Sequence, residues 1–430
     1  MPQAHVLAGL VRINVVSFGL MAALVACGPH GNRNGDDDGV VHVDDAAVDG
    51  PPPIDAPVRP PIPAHCLAAA NRGLAWLVTG QQFDGSWGFV MPVAATGFAV
   101  LKLETYAREI GTTPFDPGFV YKDQVARGLD YLFSQAQLSP ISVQPAGAPD
   151  GNGNGQGIAV SSLMYENAIA LMAVAAGAEP DRVVTTNGSQ VTGWTYRAVV
   201  QEMVDYMAFA QSDGILQPGA GCNRGGWRYN AFDNDPSIGD NSVSQWATLG
   251  LEYARHPDFG YQIAPPAWVT AELGKWVTCI QLRDGSADDG ASGYDDPNDG
   301  AFINAYKTGA LVQQFSFLGR DATDPGAAAA LGYLHRVWND QNGAGWHGQP
   351  SDYLTMYSIM KGMESMAITD LGGIDWYTEF CNQLELEQQP NGAWPPSAWD
   401  PEASGSGGLL STEWALLVLE RAAPPPEVIN

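Results

Sequence analysis

Two kinds of hydrophobic segment alternate along residues 64–424. The first kind carries its apolar side chains at three- and four-residue spacing, so that one face of a helix is apolar and the other polar. Segments of this kind run over 66–82, 121–137, 195–211, 268–281, 326–341 and 374–389. Each is followed by a glycine-rich turn, where glycine ends a helix at little steric cost. The turns read Asp84-Gly85-Ser86-Trp87, Asn152-Gly153-Asn154-Gly155, Gly225-Gly226-Trp227, Gly290-Ala291-Ser292-Gly293-Tyr294, Gly343-Ala344-Gly345-Trp346 and Asn391-Gly392-Ala393-Trp394. The second kind of segment follows each turn and is apolar on every side: 94–104, 161–176, 240–254, 299–317, 352–367 and 411–421. A helix apolar all round must be buried.

An internal period of this kind reports architecture, because each unit needs its neighbours to bury its apolar face. Six amphipathic and six buried helices in alternation predict an all-α fold, an (α/α)6 toroid, with the buried set as an inner barrel and the amphipathic set as its cover. Short connections keep successive helices antiparallel. The six turns then share one rim, where the inner helices begin and their N-terminal dipoles point, and a functional cleft belongs there.

The ends of the chain have another composition. Residues 1–26 hold an apolar run of signal-peptide length that ends in Leu24-Val25-Ala26-Cys27. That tetrapeptide resembles a bacterial lipobox, which implies cleavage before Cys27, lipidation of that cysteine and anchoring to the membrane of a bacterial cell envelope. The alternative is an ordinary signal peptide with an incidental Cys27. Residues 27–63 mix Gly, Asp and Pro with few large apolar groups and read as a disordered tether. Residues 425–430 form a short tail.

Charge narrows the partners. A net charge of −27, with 20 Lys and Arg against 47 Asp and Glu, opposes nucleic acids and anionic lipid surfaces. A neutral lipid, a glycan or a protein ligand at the turn-rich rim fits better.

The order Arg72-Gly73-Leu74-Ala75-Trp76-Leu77, then Gln81, then Gly85-Ser86-Trp87, partly repeated from Arg127-Gly128 to Gln137, is similar to the repeat of squalene cyclases and protein prenyltransferase β-subunits. The stretch Gly225-Gly226-Trp227-Arg228-Tyr229-Asn230, with Asp240-Asn241-Ser242-Val243 after it, resembles the squalene–hopene cyclase segment that holds the Asp-x-Asp-Asp-Thr-Ala acid motif. The resemblance implies that Asp240 is a carboxylic acid able to protonate an alkene. The chain departs from the motif at Ile238 and Asn241, which stand where two further aspartates belong. A helix N-cap is the other role open to Asp240.

Prenyltransferases hold zinc through an Asp-x-Cys pair and a distant His, and this chain has no Asp-x-Cys. Cys222, Cys279 and His347 match the Cys-Cys-His zinc set of lanthionine-forming toroids. Against that, Cys279 lies on the outer helix of the unit following Cys222, so a Cys222–Cys279 disulfide also fits an exported protein. A closed ring brings Cys66 and Cys381, on the first and last outer helices, together as a second pair. No metal or other cofactor is required by either pairing.

Acidic turns supply oxygen ligands at Asp233 and Asp235 and from Asp284 to Asp299, but their spacing does not match a twelve-residue calcium loop. Aromatic residues point more directly to a ligand. Trp227 and Tyr229 near the turns, Trp246, Tyr306, Tyr353 and Tyr357 on inner helices, and Asp233, Asp235 and His347 beside them form the expected cleft. Three functions fit: a ligand- or partner-binding toroid, a terpenoid-cyclase-like enzyme using Asp240, and a carbohydrate-processing toroid with a carboxylate pair such as Asp235 and Asp240 or Glu166 and Asp352.

Overall fold

The structure, a computed structural model, describes residues 60–214, 222–234, 239–300, 302–404 and 407–424. The expected signal sequence and lipidation site Cys27, nearly all of the expected tether, Asp235, Ile238 and the tail from residue 425 lie outside the described residues. Twelve α-helices are described: α1(Ala64–Thr79), α2(Pro92–Glu109), α3(Lys122–Gln135), α4(Met164–Ala176), α5(Tyr196–Ala210), α6(Asn241–Arg255), α7(Ala267–Ile280), α8(Ala305–Phe317), α9(Pro325–Val337), α10(Tyr353–Ser365), α11(Trp376–Glu387) and α12(Leu409–Leu419). The even-numbered helices form a closed inner ring, each packing on the next and α12 returning to α2. The odd-numbered helices cover it. The fold is the (α/α)6 toroid that the hydrophobic pattern predicts.

Burial follows the two sequence patterns. In α12 every residue from Leu410 to Leu419 is buried, whereas α3 buries only Val125, Gly128, Leu129, Leu132 and Phe133. No helix of the described residues is long and apolar enough to cross a membrane.

The repeated Gln, Gly and Trp join neighbouring units. Trp87, Trp227 and Trp394 each donate Nε1–H to a C-terminal carbonyl of their own outer helix, at Leu77 (2.9 Å), Met207 (2.8 Å) and Leu384 (2.8 Å). Their backbone N–H groups meet a hydroxyl of the following inner helix: Thr96 at 2.9 Å, Ser244 at 2.9 Å and Thr412 at 3.0 Å. Gln81, Gln211, Gln281 and Gln388 each donate to a carbonyl of their own turn and to one on the next outer helix, for example Gln211 Nε2 to Gly225 (2.8 Å) and Val269 (3.0 Å). Gly128 lies where Val100 and Trp87 leave no room, since a Cβ there would sit 2.4 Å from Val100 Cγ2. Gly85 and Gly225 adopt φ of 92° and 87°, conformations that favour glycine, against the backbone of the next outer helix.

Two disulfides pair Cys66 with Cys381 and Cys222 with Cys279, each with Cα atoms 5.7 Å apart. The first closes the seam between α1 and α11. The second consumes the two thiols of the alternative Cys222, Cys279 and His347 zinc site.

Three expectations change. Residues 299–304 precede α8 instead of starting it, because Asn304 caps the helix by accepting Lys307 N–H at 3.1 Å. The second turn is longer than its neighbours and is held in an antiparallel hairpin of β1(Gln137–Pro140) and β2(Gln156–Ala159). A second hairpin, β3(Ala403–Ser404) with β4(Gly407–Gly408), lies before α12.

Candidate functional site

The two ends of the inner barrel differ. At the end where the inner helices finish, residues 419–422 cross the opening and are tied down. Lys102 pairs with Glu420, both side chains buried, and Arg421 Nε meets Glu364 Oε1 at 2.5 Å. Lys361 donates to the Ala422 carbonyl and, at 3.0 Å, to Tyr253 Oη, while Tyr377 Oη donates to the Leu419 carbonyl at 2.7 Å. This end is a floor.

At the opposite end, where the inner helices start, a cavity of about 840 Å³ opens to solvent. Its depth is aromatic and aliphatic. Phe98, Trp246 and Trp414 line it from three inner helices, with Phe98 edge-on to Trp246 (centroids 5.5 Å) and to Trp414 (6.5 Å). Tyr165, Ile169, Tyr306, Leu354 and Leu410 complete the wall. Near the mouth stand Tyr229, Tyr294, Asp295, Asp299, Phe302 and Lys307, and Trp399, which is 63% exposed.

Lys307 is the cavity's one basic residue among the described residues. It is buried, forms no ion pair among the described residues, and its Nζ lies 5.8–5.9 Å from the ring centres of Tyr294, Phe302 and Tyr306. Burial lowers its pKa to about 8, although Asp240, Asp299 and Asp352 act in the other direction. Burial, with the Asp240 carboxylate second, raises the Tyr294 hydroxyl, and burial likewise raises Tyr229 and Tyr306.

Asp240 is the N-cap of α6. Its Oδ1 accepts Ser242 N–H at 2.7 Å and Ser242 Oγ–H at 2.6 Å. Its Oδ2 is buried without a well-formed hydrogen bond and faces Tyr229 and Tyr294, whose hydroxyls bond each other at the cavity wall. The carboxylate therefore sits one layer behind the cavity. Of the two roles raised for it from the sequence, the helix N-cap is the one the structure shows.

Of the residues expected to form the cleft, the structure brings Tyr229, Trp246 and Tyr306 to the cavity wall. Tyr357 stacks behind Trp246 (centroids 5.6 Å) and is fully buried. Tyr353 donates its hydroxyl to Glu387 of α11 at 2.6 Å, and Trp227 is the staple described above. His347 stacks on Trp346, 3.8 Å between centroids, and Asp233 is exposed on a short 3-10 turn. Asp352 caps α10 and accepts from Thr355 N and Oγ1, and Glu166 accepts from Ser161 Oγ. Of the two carboxylate pairs raised for sugar chemistry, Glu166 and Asp352 are thus each engaged locally, and Asp235 of the other lies outside the described residues. The sequence reading missed Trp399 and Asp295 as cavity residues: Trp399 comes from the irregular stretch 395–408, and Asp295 stood among the acidic turn residues read only as oxygen ligands.

No family model and no curated protein matches the sequence. Solved structures do match. The family 76 α-1,6-mannanase of Salegentibacter sp. superposes with a TM-score of 0.53 at 14% identity, over 83% of this chain and 98% of that one. An inactive variant of it in complex with α-1,6-mannotetrose gives 0.53 at 15% identity, again over 83% and 98%. A type II terpene cyclase from Scytonema, in complex with geranylgeranyl dihydroxybenzoate, covers 83% and 97% at 13% identity, but its TM-score of 0.46 is too low to bear on function. At such identities the mannanase likeness shows the toroid fold alone.

Proposed function

We propose that this toroid is a binding protein for a neutral, lipid-like ligand that enters the barrel from the turn-rich mouth. The observation that carries this reading is the cavity itself: about 840 Å³, walled by Phe98, Tyr165, Ile169, Trp246, Leu354, Leu410 and Trp414. That size lies in the range of roughly 300–1,000 Å³ typical of small-molecule sites, and its deep wall is mostly apolar, with the charged groups Asp295, Asp299 and Lys307 near the mouth. Exposed Phe83, Phe89 and Val90 on the first turn, with Phe302 and Trp399 at the mouth, suit access from a lipid surface. A lipidated Cys27 on a tether would keep the mouth close to one.

The test is a thermal-shift comparison of geranylgeraniol with linear mannose oligosaccharides. The polyprenyl alcohol raises the midpoint with increasing concentration, as any ligand of the native state must. A rise with the oligosaccharide alone sinks the lipid reading and leaves the mannose-binding alternative.

One observation favours a second reading, catalysis. The Oδ2 of Asp240 is buried, without a well-formed hydrogen bond, and faces hydroxyls on the cavity wall. In that reading Asp240 delivers a proton through the Tyr229 and Tyr294 hydroxyls to an alkene. Incubation with geranylgeraniol and mass-spectrometric analysis for isomeric cyclic products, in wild type and Asp240→Asn, decides it.

A further inference from the structure

Unit two breaks the Gly-x-Trp rule. Its turn reads Asp150-Gly151-Asn152-Gly153-Asn154-Gly155-Gln156, and read alone this is a loop with many glycines. Its spacing is that of the first half of a calcium loop, in which oxygen-bearing side chains stand at positions one, three and five and a glycine at six makes the sharp turn. Gly155 holds the sixth position with φ of 73°. The twelfth position, which in such loops is a glutamate, is Ser161 here.

The missing acid comes from another element. β2 packs on α5, and α5 turns Glu202 and Asp205 toward the loop. Glu202 Oε1 meets the side-chain amides of both Asn152 and Asn154 at 2.6 Å, and Asp205 Oδ1 accepts Gly151 N–H at 3.0 Å. The second oxygen of each acid, Glu202 Oε2 and Asp205 Oδ2, is buried without a hydrogen-bond partner, and the two residues are 2% and 0% exposed. Two buried carboxylate oxygens left unpaired beside an aspartate carry a large desolvation cost that a cation would remove. Asp150 itself is drawn into the loop conformation such sites use, accepting N–H groups from Gly153 and Gly155 at 2.6 Å each. Amide nitrogen and oxygen are interchangeable by a half-turn of the side chain, so Asn152 and Asn154 can present oxygen to the same point.

The geometry points to a calcium site between the Asp150–Gln156 loop and α5, with Asp150, Asn152, Asn154, Glu202 and Asp205 as its side-chain ligands. The ligands are all oxygens and carry three negative charges, and because the oxygens of Asp150, Glu202 and Asp205 do not all lie within 4.8 Å of one another, calcium with its longer and looser coordination suits them better than magnesium with its stricter octahedron. The other acidic turns lack this second observation. Asp284, Asp321 and Asp340 accept N–H groups of their own exposed turns, at Ser286, Thr323 and Asn342, with no buried acid facing them. A filled site would fasten β2, which leads into α4 and so into Tyr165 and Ile169 of the cavity wall.

Hydrogen exchange on the wild-type protein, dialysed against chelator and then given calcium at about 1 mM, locates the ion without mutation. Slowed exchange at residues 151–155 and on the facing turn of α5, with one ion bound per chain by calorimetry and a much weaker response to magnesium, is the expected result. Glu202→Gln and Asp150→Asn each weaken calcium binding by about tenfold or more, since each removes a charged ligand. No protection at 151–155, or protection confined to the 284–299 turn, overturns the assignment. So does an unchanged calcium affinity in both variants.

Discussion

The two mouths of the barrel are built from the same six helices, yet one is sealed and the other open. At the sealed end several buried polar groups meet partners on or around residues 419–422: Lys102 with Glu420, Arg421 with Glu364, Lys361 with Tyr253 and the Ala422 carbonyl. At the open end the one buried amine, Lys307, has rings around it and no ion partner among the described residues. The difference separates structure from function. Paired charges hold a shape, whereas an unpaired group beside an apolar void is a cost kept where a ligand can reach it.

The floor offers the largest effect. Lys102→Met leaves Glu420 buried without its partner and lowers unfolding stability by about 3 kcal/mol in urea denaturation. Replacing both residues by apolar ones costs less than the single change. If the single variant is as stable as wild type, the floor is not what closes the barrel.

At the mouth the sign reverses. Lys307 has its pKa lowered from 10.5 to about 8, so below pH 8 the folded protein holds a charged amine at a cost that the unfolded chain does not bear. Stability therefore rises as pH goes from about 8 to 10.5, and Lys307→Met is more stable than wild type near neutral pH by up to ~3 kcal/mol, from 1.36 kcal/mol per pH unit. The gap between the two melting points closes as the pH approaches 10.5. An equal gap at every pH removes the contrast with the floor.

The staples between units sit between these extremes in position and below them in effect. Gly128→Ala places a methyl 2.4 Å from Val100 Cγ2 and costs about 1–3 kcal/mol, read as a lower melting point. Asp240→Asn gives the smallest change, within about 0.5 kcal/mol, because asparagine caps a helix as well as aspartate does. Loss of a catalysed product in that variant, with stability retained, assigns Asp240 to chemistry; retention of product leaves it a cap.

Much of the ring was legible in the sequence, because its signals are local and repeated. Period and glycine punctuation located all twelve helices, most to within a few residues, whereas Trp227, expected in the cleft, proved to staple its outer helix as Trp87 and Trp394 do. Ring closure placed Cys66 beside Cys381. The cavity was less legible. An inner helix reads as apolar on every side whether its inward residues meet one another or a void, so nothing in sequence separated Trp246, on the wall, from Tyr357 directly behind it. Trp399 was invisible for another reason: it reaches the mouth from a long irregular stretch with no period. The Asp150 loop carried its spacing in plain view, but its acid partners lie on α5, and only the packing of β2 on that helix unites them.

Binding at the open end is the central claim, and a titration of intrinsic tryptophan fluorescence with geranylgeraniol tests it most directly, since Trp246, Trp399 and Trp414 all line the cavity. Wild type gives a saturable change, and Leu354→Trp, which narrows the cavity from α10, moves its midpoint to higher ligand concentration while the protein stays folded. A change of equal size and midpoint in both proteins, or none in wild type, contradicts the account.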